Sequence, residues 1–421
     1  MPKQLKAVDV KILQTLREIG PRNLSNVART AGISREQLEF RIKRMRSDPN
    51  FFLRIHTSVY HTNIGLRKAV VFLDAAPGKE QLLFDCLTVN GFWLYICRSY
   101  GTEEGCTAIY AVPVEYCNEL EEFVHELRRL GVAKSVQVYW STCFQGGRIT
   151  SDWFDGEGDK WTFKWADWIE EVKTQKTKLP YTLVESKSYS NLADEIDIKM
   201  LEKLEEDATR SMVEVAKSLG ISPQLARFHY VEHLVAKTLV EGYEVFVMRY
   251  GVSPSMMVFF VISFPDYERF AKFARSLLDK FFVITMGKNL GENALIVEVF
   301  LPIEEFRNFV DTLSTMARIG LVRSYKHIIQ DLRIRCRQTI SPPLYNGKNW
   351  VYDHKKHMEL LQQKVTDYAS QTTRLSRPAK TTETRSEKPR NQQKHFSPLK
   401  RRPPAKSSEN ASKAPKRNLL R

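Results

Sequence analysis

Displaced by 188 positions, the chain matches itself: residues 9–42 align without a gap to residues 197–230, with 12 identities in 34 positions. The shared residues include Asp9/Asp197, Ala28/Ala216, Gly32/Gly220, Ile33/Ile221, Ser34/Ser222 and Phe40/Phe228. Such a match predicts one unit written twice, so the fold has to place two copies of it. In the first copy Ile12, Leu13, Leu16 and Ile19 mark one face of a helix, and Leu24, Val27, Ala28 and Ala31 mark a second. Gly32 breaks the pattern. Ser34 then caps a third helix, with Gln37 at capping-box spacing and Leu38, Ile42 and Met45 as its buried stripe. Glycine tolerates a left-handed turn and alanine lets two helices approach, so the spacing of Ala28, Gly32, Ile33 and Ser34 suits a helix-turn-helix.

A second shared pattern follows each helical trio. In the first copy residues 67–75 read as a strand, 79–89 as a helix, 92–100 and 106–114 as a hairpin, 115–130 as a helix and 134–142 as a strand. The second copy repeats this over 256–264, 267–279, 281–286, 294–301, 303–317 and 321–329. The order βαββαβ predicts ferredoxin-like topology within an α+β chain. Between the units Trp161, Trp165, Trp168, Ile169 and Val172 fall at helical spacing, with Trp153 just before them; the stripe is expected to pack on the adjoining sheet. Asn346, Gly347 and Trp350 echo Asp155, Gly156 and Trp161, consistent with an extension that belongs to the repeat.

Charge is unevenly placed. The 64 Lys+Arg and 49 Asp+Glu give +15, which favours a polyanionic partner. Residues 370–421 hold 15 basic and 3 acidic residues, so most of the excess lies there. That stretch has almost no large apolar side chains to offset its ordering entropy, so it reads as a disordered tail, with Lys400, Arg401 and Arg402 as a nonspecific DNA arm. The longest uncharged apolar stretch, 251–265, is shorter than the roughly 20 residues of a membrane helix, and Lys3, Lys6 and Lys11 interrupt the first residues. The expectation is a protein without membrane span or signal peptide, cytoplasmic and nucleoid-associated. Six cysteines show no zinc-ribbon or thioredoxin spacing and read as reduced thiols.

A helix-turn-helix followed by βαββαβ resembles the Lrp/AsnC family of transcription regulators, over residues 8–142 and again 195–331. Ser34, Arg41, Ile42, Lys43 and Met45 fall where that family carries its cap, arginine and alternating apolar and basic residues. His61 to Leu66, with Gly65, resembles the family's hinge. The resemblance implies winged helix-turn-helix units at 1–65 and 189–253, and ferredoxin-like domains at 66–142 and 254–331. A Trp-rich linker at 143–188, an extension at 332–369 and the tail at 370–421 complete the chain. It also implies a double-stranded DNA partner, and either a homo-oligomer or an internal pseudo-dimer, since family members pair through their sheets. A small-molecule effector stays open, because the family's Gly-Asp loop is here Gly101, Thr102 and Glu103, and Gly287 and Lys288.

On the third helix Glu36, Gln37, Phe40, Lys43 and Arg44 point outward at 100° per residue, flanked by Arg35, Arg41 and Arg46; of these, Gln37, Phe40, Lys43 and Arg44 are the expected DNA readers and the flanking arginines the phosphate contacts. The second unit is acidic: residues 194–250 hold 7 basic and 11 acidic residues, against 12 and 5 in residues 1–60. It is expected to read DNA weakly, through Gln224, Arg227 and His229. His229, Glu232 and His233 spell H-x-x-E-H, the inverted zincin motif, but no third ligand stands out and the motif reads as chance. His354 and His357 read as a solvated helix end, and Gly156 and Gly158 as a lone G-x-G among acidic residues. No metal, cofactor or catalytic residue is expected, and no enzyme is demanded. Two other classes stay open: a siroheme-decarboxylase-like enzyme, whose paired units would place His or Arg near their interface, and an RNA-binding or scaffold protein.

Overall fold

The computed structural model describes residues 4–101, 104–250 and 254–375. The chain divides into a compact unit, Met1–Thr373, and a stretch, Arg374–Arg421, of which only the last two residues of one helix are described. Lys400, Arg401 and Arg402 lie outside the described residues.

Three helices open the chain, α1 (Ala7–Ile19), α2 (Leu24–Ala31) and α3 (Arg35–Ser47). Gly32 takes the left-handed conformation after α2, at φ 75°, and Ser34 accepts from the Gln37 backbone in a complete capping box. The strand β1 (Arg54–Val59) follows, then β2 (Leu66–Ala75), α4 (Glu80–Leu87), β3 (Trp93–Gly101), β4 (Gly105–Pro113), α5 (Cys117–Arg129) and β5 (Ala133–Ser141). The linking segment holds three two-residue strands that the sequence reading did not foresee, β6 (Gln145–Gly146), β7 (Phe154–Asp155) and β8 (Lys160–Trp161), and the helix α6 (Trp165–Thr174).

The second half runs α7 (Glu195–Glu206), α8 (Met212–Leu219), α9 (Pro223–Phe228), a π-helical turn over His229–Val235, and β9 (Val240–Phe246). It continues with β10 (Ser255–Ser263), α10 (Tyr267–Ser276), β11 (Val283–Lys288), β12 (Ala294–Pro302), α11 (Ile303–Arg318), β13 (Ser324–Arg337) and α12 (His354–Leu375). The strand expected over 321–329 thus extends to Arg337, because a register shift between Gln330 and Arg335 lets it carry on along β3.

Two features relate the halves. The β1–β9 ladder pairs Arg54 with Phe246, His56 with Glu244 and Ser58 with Gly242, so it is symmetric about His56 and Glu244, which stand 188 positions apart. Apart from β7 and β8, which pair with each other, the remaining strands form one antiparallel sheet in the order β5-β2-β4-β3-β13-β10-β12-β11-β6. Gly101 of β3 meets Ile328 of β13, and Ser141 of β5 bridges Asn289 just past β11, so the sheet curls until its far strands touch. Backbone bonds Thr142 N to Lys288 O (3.0 Å) and Leu290 N to Trp140 O (2.8 Å) reinforce that second seam. Val70 and Phe72 then face Phe259 and Val261 across a shared apolar layer.

The extensions are exchanged between the halves. Trp168, expected on the adjoining sheet, packs instead against Phe273 of α10, Phe282, and Phe309 of α11 in the other half, because those rings leave a slot between two helices. Conversely, the segment before α12 returns to the first half, where Tyr352 stacks on Tyr116 and Trp350 Nε1 donates to Ile64 O at 2.6 Å. Among the described residues, no helix is long and apolar enough to cross a membrane.

Candidate active site

The residues expected to read DNA are mostly engaged within the protein. Asp9 is fully buried, and its two oxygens take Arg41 Nη1 and Arg44 Nη2, each at 2.8 Å. Both guanidiniums are therefore turned inward, correcting the expectation that Arg44 points outward and Arg41 is free for phosphate. Arg46 reaches Asp207 at 3.1 Å and Arg35 reaches Glu39 at 2.8 Å. Ser34 and Gln37 form the cap, while Lys43 and Phe40 are exposed, Phe40 by 68%. In the second half Gln224 and Arg227 are exposed, but His229 is 5% exposed and bonded to Asp197, so it cannot read a base as expected.

The fold assembles a site that sequence reasoning missed. A cavity of about 350 Å³ opens between the β1–β9 ladder and the curled sheet, within the range of small-molecule sites. Phe52, Leu94, Ile109, Phe144, Phe246 and Met257 give it apolar walls. Four arginines line it: Arg54 from β1, Arg249 after β9, and Arg335 and Arg337 from β13. Among the described residues none of the four comes within ion-pair distance of a carboxylate. Arg249 is 4% exposed with Nε and Nη1 unpartnered, and burial pushes it down to about 10. Burial, then the nearby Arg337 and Arg335, lower Arg54 in the same way.

Three acid–base groups stand among these cations. His56 Nε2 meets Glu244 Oε2 at 2.8 Å, while His56 Nδ1 is buried and unpartnered. Burial, then Arg337, hold His56 below its ordinary value. Although burial opposes it, the adjacent His56 keeps Glu244 well below the usual carboxylate range. Glu298 behaves oppositely: burial pushes it up to about 7, and it accepts from Gln330 Nε2 at 2.7 Å, whose Oε1 accepts from Tyr95 Oη at 2.7 Å. The site therefore holds a carboxyl that keeps its proton near neutral pH beside unpaired positive charge, an arrangement typical of functional clefts. The arginines come from three separate stretches of sequence, and no local pattern connects them.

A second constellation gathers Asp194 and Asp197 with His229 and His233. The further ligand that the sequence reading of H-x-x-E-H did not find is present: Asp197 of α7 and Asp194 at its N-cap stand beside the histidine pair. Glu232 is exposed and takes no part. The signal was present, since Asp197 matches Asp9 while His229 stands where the first half has Arg41.

No family model matches the chain, and neither does any curated protein. Among solved structures it is similar to the siroheme decarboxylase NirDL, at 12% identity over 85% of this chain and 98% of that one, with a TM-score of 0.45. The same values hold for NirDL in co-complex with an iron-uroporphyrin III analogue. It is also similar to E. coli AsnC, at 20% identity over 35% of this chain and 98% of that one, TM-score 0.25. These are likenesses of coarse architecture and assign no family. The expectation that no enzyme is demanded is overturned by the His/Asp cluster, whose four ligand atoms lie within 4.8 Å of one another and could hold a metal ion.

Proposed function

We propose that the protein is a siroheme-decarboxylase-like enzyme, an internal pseudo-dimer of duplicated halves whose pocket takes a polycarboxylated tetrapyrrole. The observation that carries this reading is the ring of four unpaired arginines around an apolar-walled cavity, with the buried donors of Arg249 unsatisfied. Planar guanidiniums suit carboxylates, and the apolar walls suit an aromatic macrocycle. The symmetric β1–β9 ladder and the two matching seams support the pseudo-dimer. Loss of one acetate carboxyl breaks its C–C bond, releases CO2 and leaves the electron pair on the methylene carbon, spread into the pyrrole ring. A proton then completes a methyl group. Glu298, protonated near pH 7, supplies that proton and is reloaded from solvent; His56, held by Glu244, faces the bound carboxylates. Titration with iron uroporphyrin should change its visible spectrum at equimolar protein, and incubation with siroheme should yield products lighter by one CO2 per carboxyl lost. An unchanged spectrum and unchanged substrate mass would refute the reading.

A second reading, duplex DNA recognition by α3, is favoured by the shared exposure of Gln37, Phe40 and Lys43 behind the Ser34 cap. Fluorescence anisotropy of a random duplex across a salt series tests it, because phosphate neutralisation imposes a steep log-log slope. Absence of binding at low salt removes it.

A further inference from the structure

We infer that Asp194, Asp197, His229 and His233 form a binding site for a divalent zinc-class cation, which joins α7 to the π-helical turn and is separate from the arginine pocket. The two halves of the chain make the argument. In the first, the buried carboxylate of Asp9 is met by the cations of Arg41 and Arg44. In the second, Asp197 has 0% exposure at the equivalent place, 188 positions on, yet His229 replaces Arg41 and Glu232 replaces Arg44. The guanidiniums are gone and two imidazoles occupy their side of the carboxylate.

The geometry is that of a ligand set. His229 Nδ1 lies 2.8 Å from Asp197 Oδ1 and 3.7 Å from Asp194 Oδ2. His233 Nδ1 lies 3.0 Å from Asp197 Oδ2 and 3.3 Å from Asp194 Oδ2. All four ligand atoms fall within 4.8 Å of one another. Donors bound at about 2.0–2.1 Å around a tetrahedral ion stand roughly 3.3 Å apart, so one cation fits among them without rearrangement of either helix. The capping box of α7 fixes both carboxylates, since Asp194 Oδ1 and Asp197 Oδ2 accept backbone N–H groups at 2.9 and 3.0 Å. The Phe228 ring packs edge-on against both imidazoles and orients them. Two imidazole nitrogens with carboxylate oxygens select a borderline ion such as Zn2+ over Mg2+ or Ca2+. Because Glu232 points to solvent, the site is a structural clamp that lacks the general base of a peptidase.

The test uses the full, untagged chain stripped with chelator, then titrated with Co2+ as a spectroscopic probe and with Zn2+. One equivalent of Co2+ should give the visible band of a four-coordinate ion, Zn2+ should displace it, and Zn2+ at a hundredfold its Kd should raise Tm by several degrees, reversed by chelator. The double variant His229→Arg/His233→Met writes the first half's residues into the second and should keep the fold while losing the Co2+ band and the Zn2+-dependent shift. The inference is overturned if the stripped, folded chain shows no Co2+ band, or if the double variant keeps band and shift unchanged. Iron-uroporphyrin binding by the same variant reads the arginine pocket independently.

Discussion

At the scale of single residues, the pocket has the mark of a site that trades stability for binding. Arg249 is buried with two donor atoms unpartnered, an arrangement that penalises the ligand-free protein, because a charge removed from water needs compensation. Arg249→Met keeps the length of the side chain and removes the charge. The ligand-free variant should melt at or above the Tm of the parent, while its affinity for iron uroporphyrin falls tenfold or more, about 1.4 kcal/mol. Calorimetry and an absorbance titration on one preparation separate the two effects, and a variant that loses stability without losing affinity would show Arg249 to be structural. Arg41 makes the opposite case. It holds the buried Asp9, so Arg41→Ala should lower stability by about 1–3 kcal/mol, the usual loss for a broken buried pair reduced by the arginine's partial exposure. Lys43 is exposed, so Lys43→Ala should change stability by less than about 0.5 kcal/mol. Any DNA affinity lost in that variant, read by anisotropy, belongs to a contact with DNA.

Among the elements, the sequence made the local ones legible and the seams illegible. Helix stripes, the Ser34 cap and the βαββαβ order depend on neighbours a few positions away, and the elements that periodicity places sit within a few residues of their expected bounds, β13 apart, whereas β1, β6 to β9 and α12 were not placed. The curl of the sheet depends on pairs such as Ser141 with Asn289, and no periodicity announces those. The same holds for the arginine pocket, whose charges come from β1, the segment after β9 and β13. The His/Asp cluster lay between these cases: it was readable from a retained aspartate whose cation partner had changed, at the same 32-residue separation in both halves. Gly287 shows what a seam demands. The sequence reading placed it by resemblance in an effector loop, whereas it lies in β11, where a Cβ would collide with Ser141 Oγ and the Phe144 ring. Gly287→Ala should therefore destabilise the protein by about 1–3 kcal/mol through overpacking, seen as a lower denaturation midpoint with unchanged slope. A midpoint equal to the parent's would mean that the seam yields at no cost.

For the whole molecule, the enclosed titratable groups set a pH profile whose sign follows from their shifts. Glu205, Glu241 and Glu298 are each pushed by burial from 4.5 up to about 7, so between those values the folded chain holds protons that the unfolded chain has lost. Stability from these carboxyls is greatest in acid and is lost as pH rises through about 7. Four histidines act the other way: burial lowers His56, His61, His327 and His357, so below their ordinary value of 6.5 the unfolded chain takes up protons that the folded chain refuses. Glu244, held low by His56 despite its burial, adds stability that disappears as pH falls below its unfolded value of 4.5. The two groups oppose each other, since stability from the carboxyls falls from 4.5 to about 7 while stability from the histidines rises until the unfolded imidazoles have lost their protons, above 6.5. A variant that removes one carboxyl isolates its share of the profile. Glu241 lies outside the arginine pocket and accepts from Ser58 Oγ at 3.2 Å, a bond that a glutamine can also accept, so the Tm of Glu241→Gln should gain on the parent's as pH rises from 4.5 to about 7, without change at the ligand site. A Tm difference between variant and parent that stays constant from pH 4.5 to 7 would mean that Glu241 is ionised in the folded state, and the same burial would then leave Glu298 without a proton to give at neutral pH.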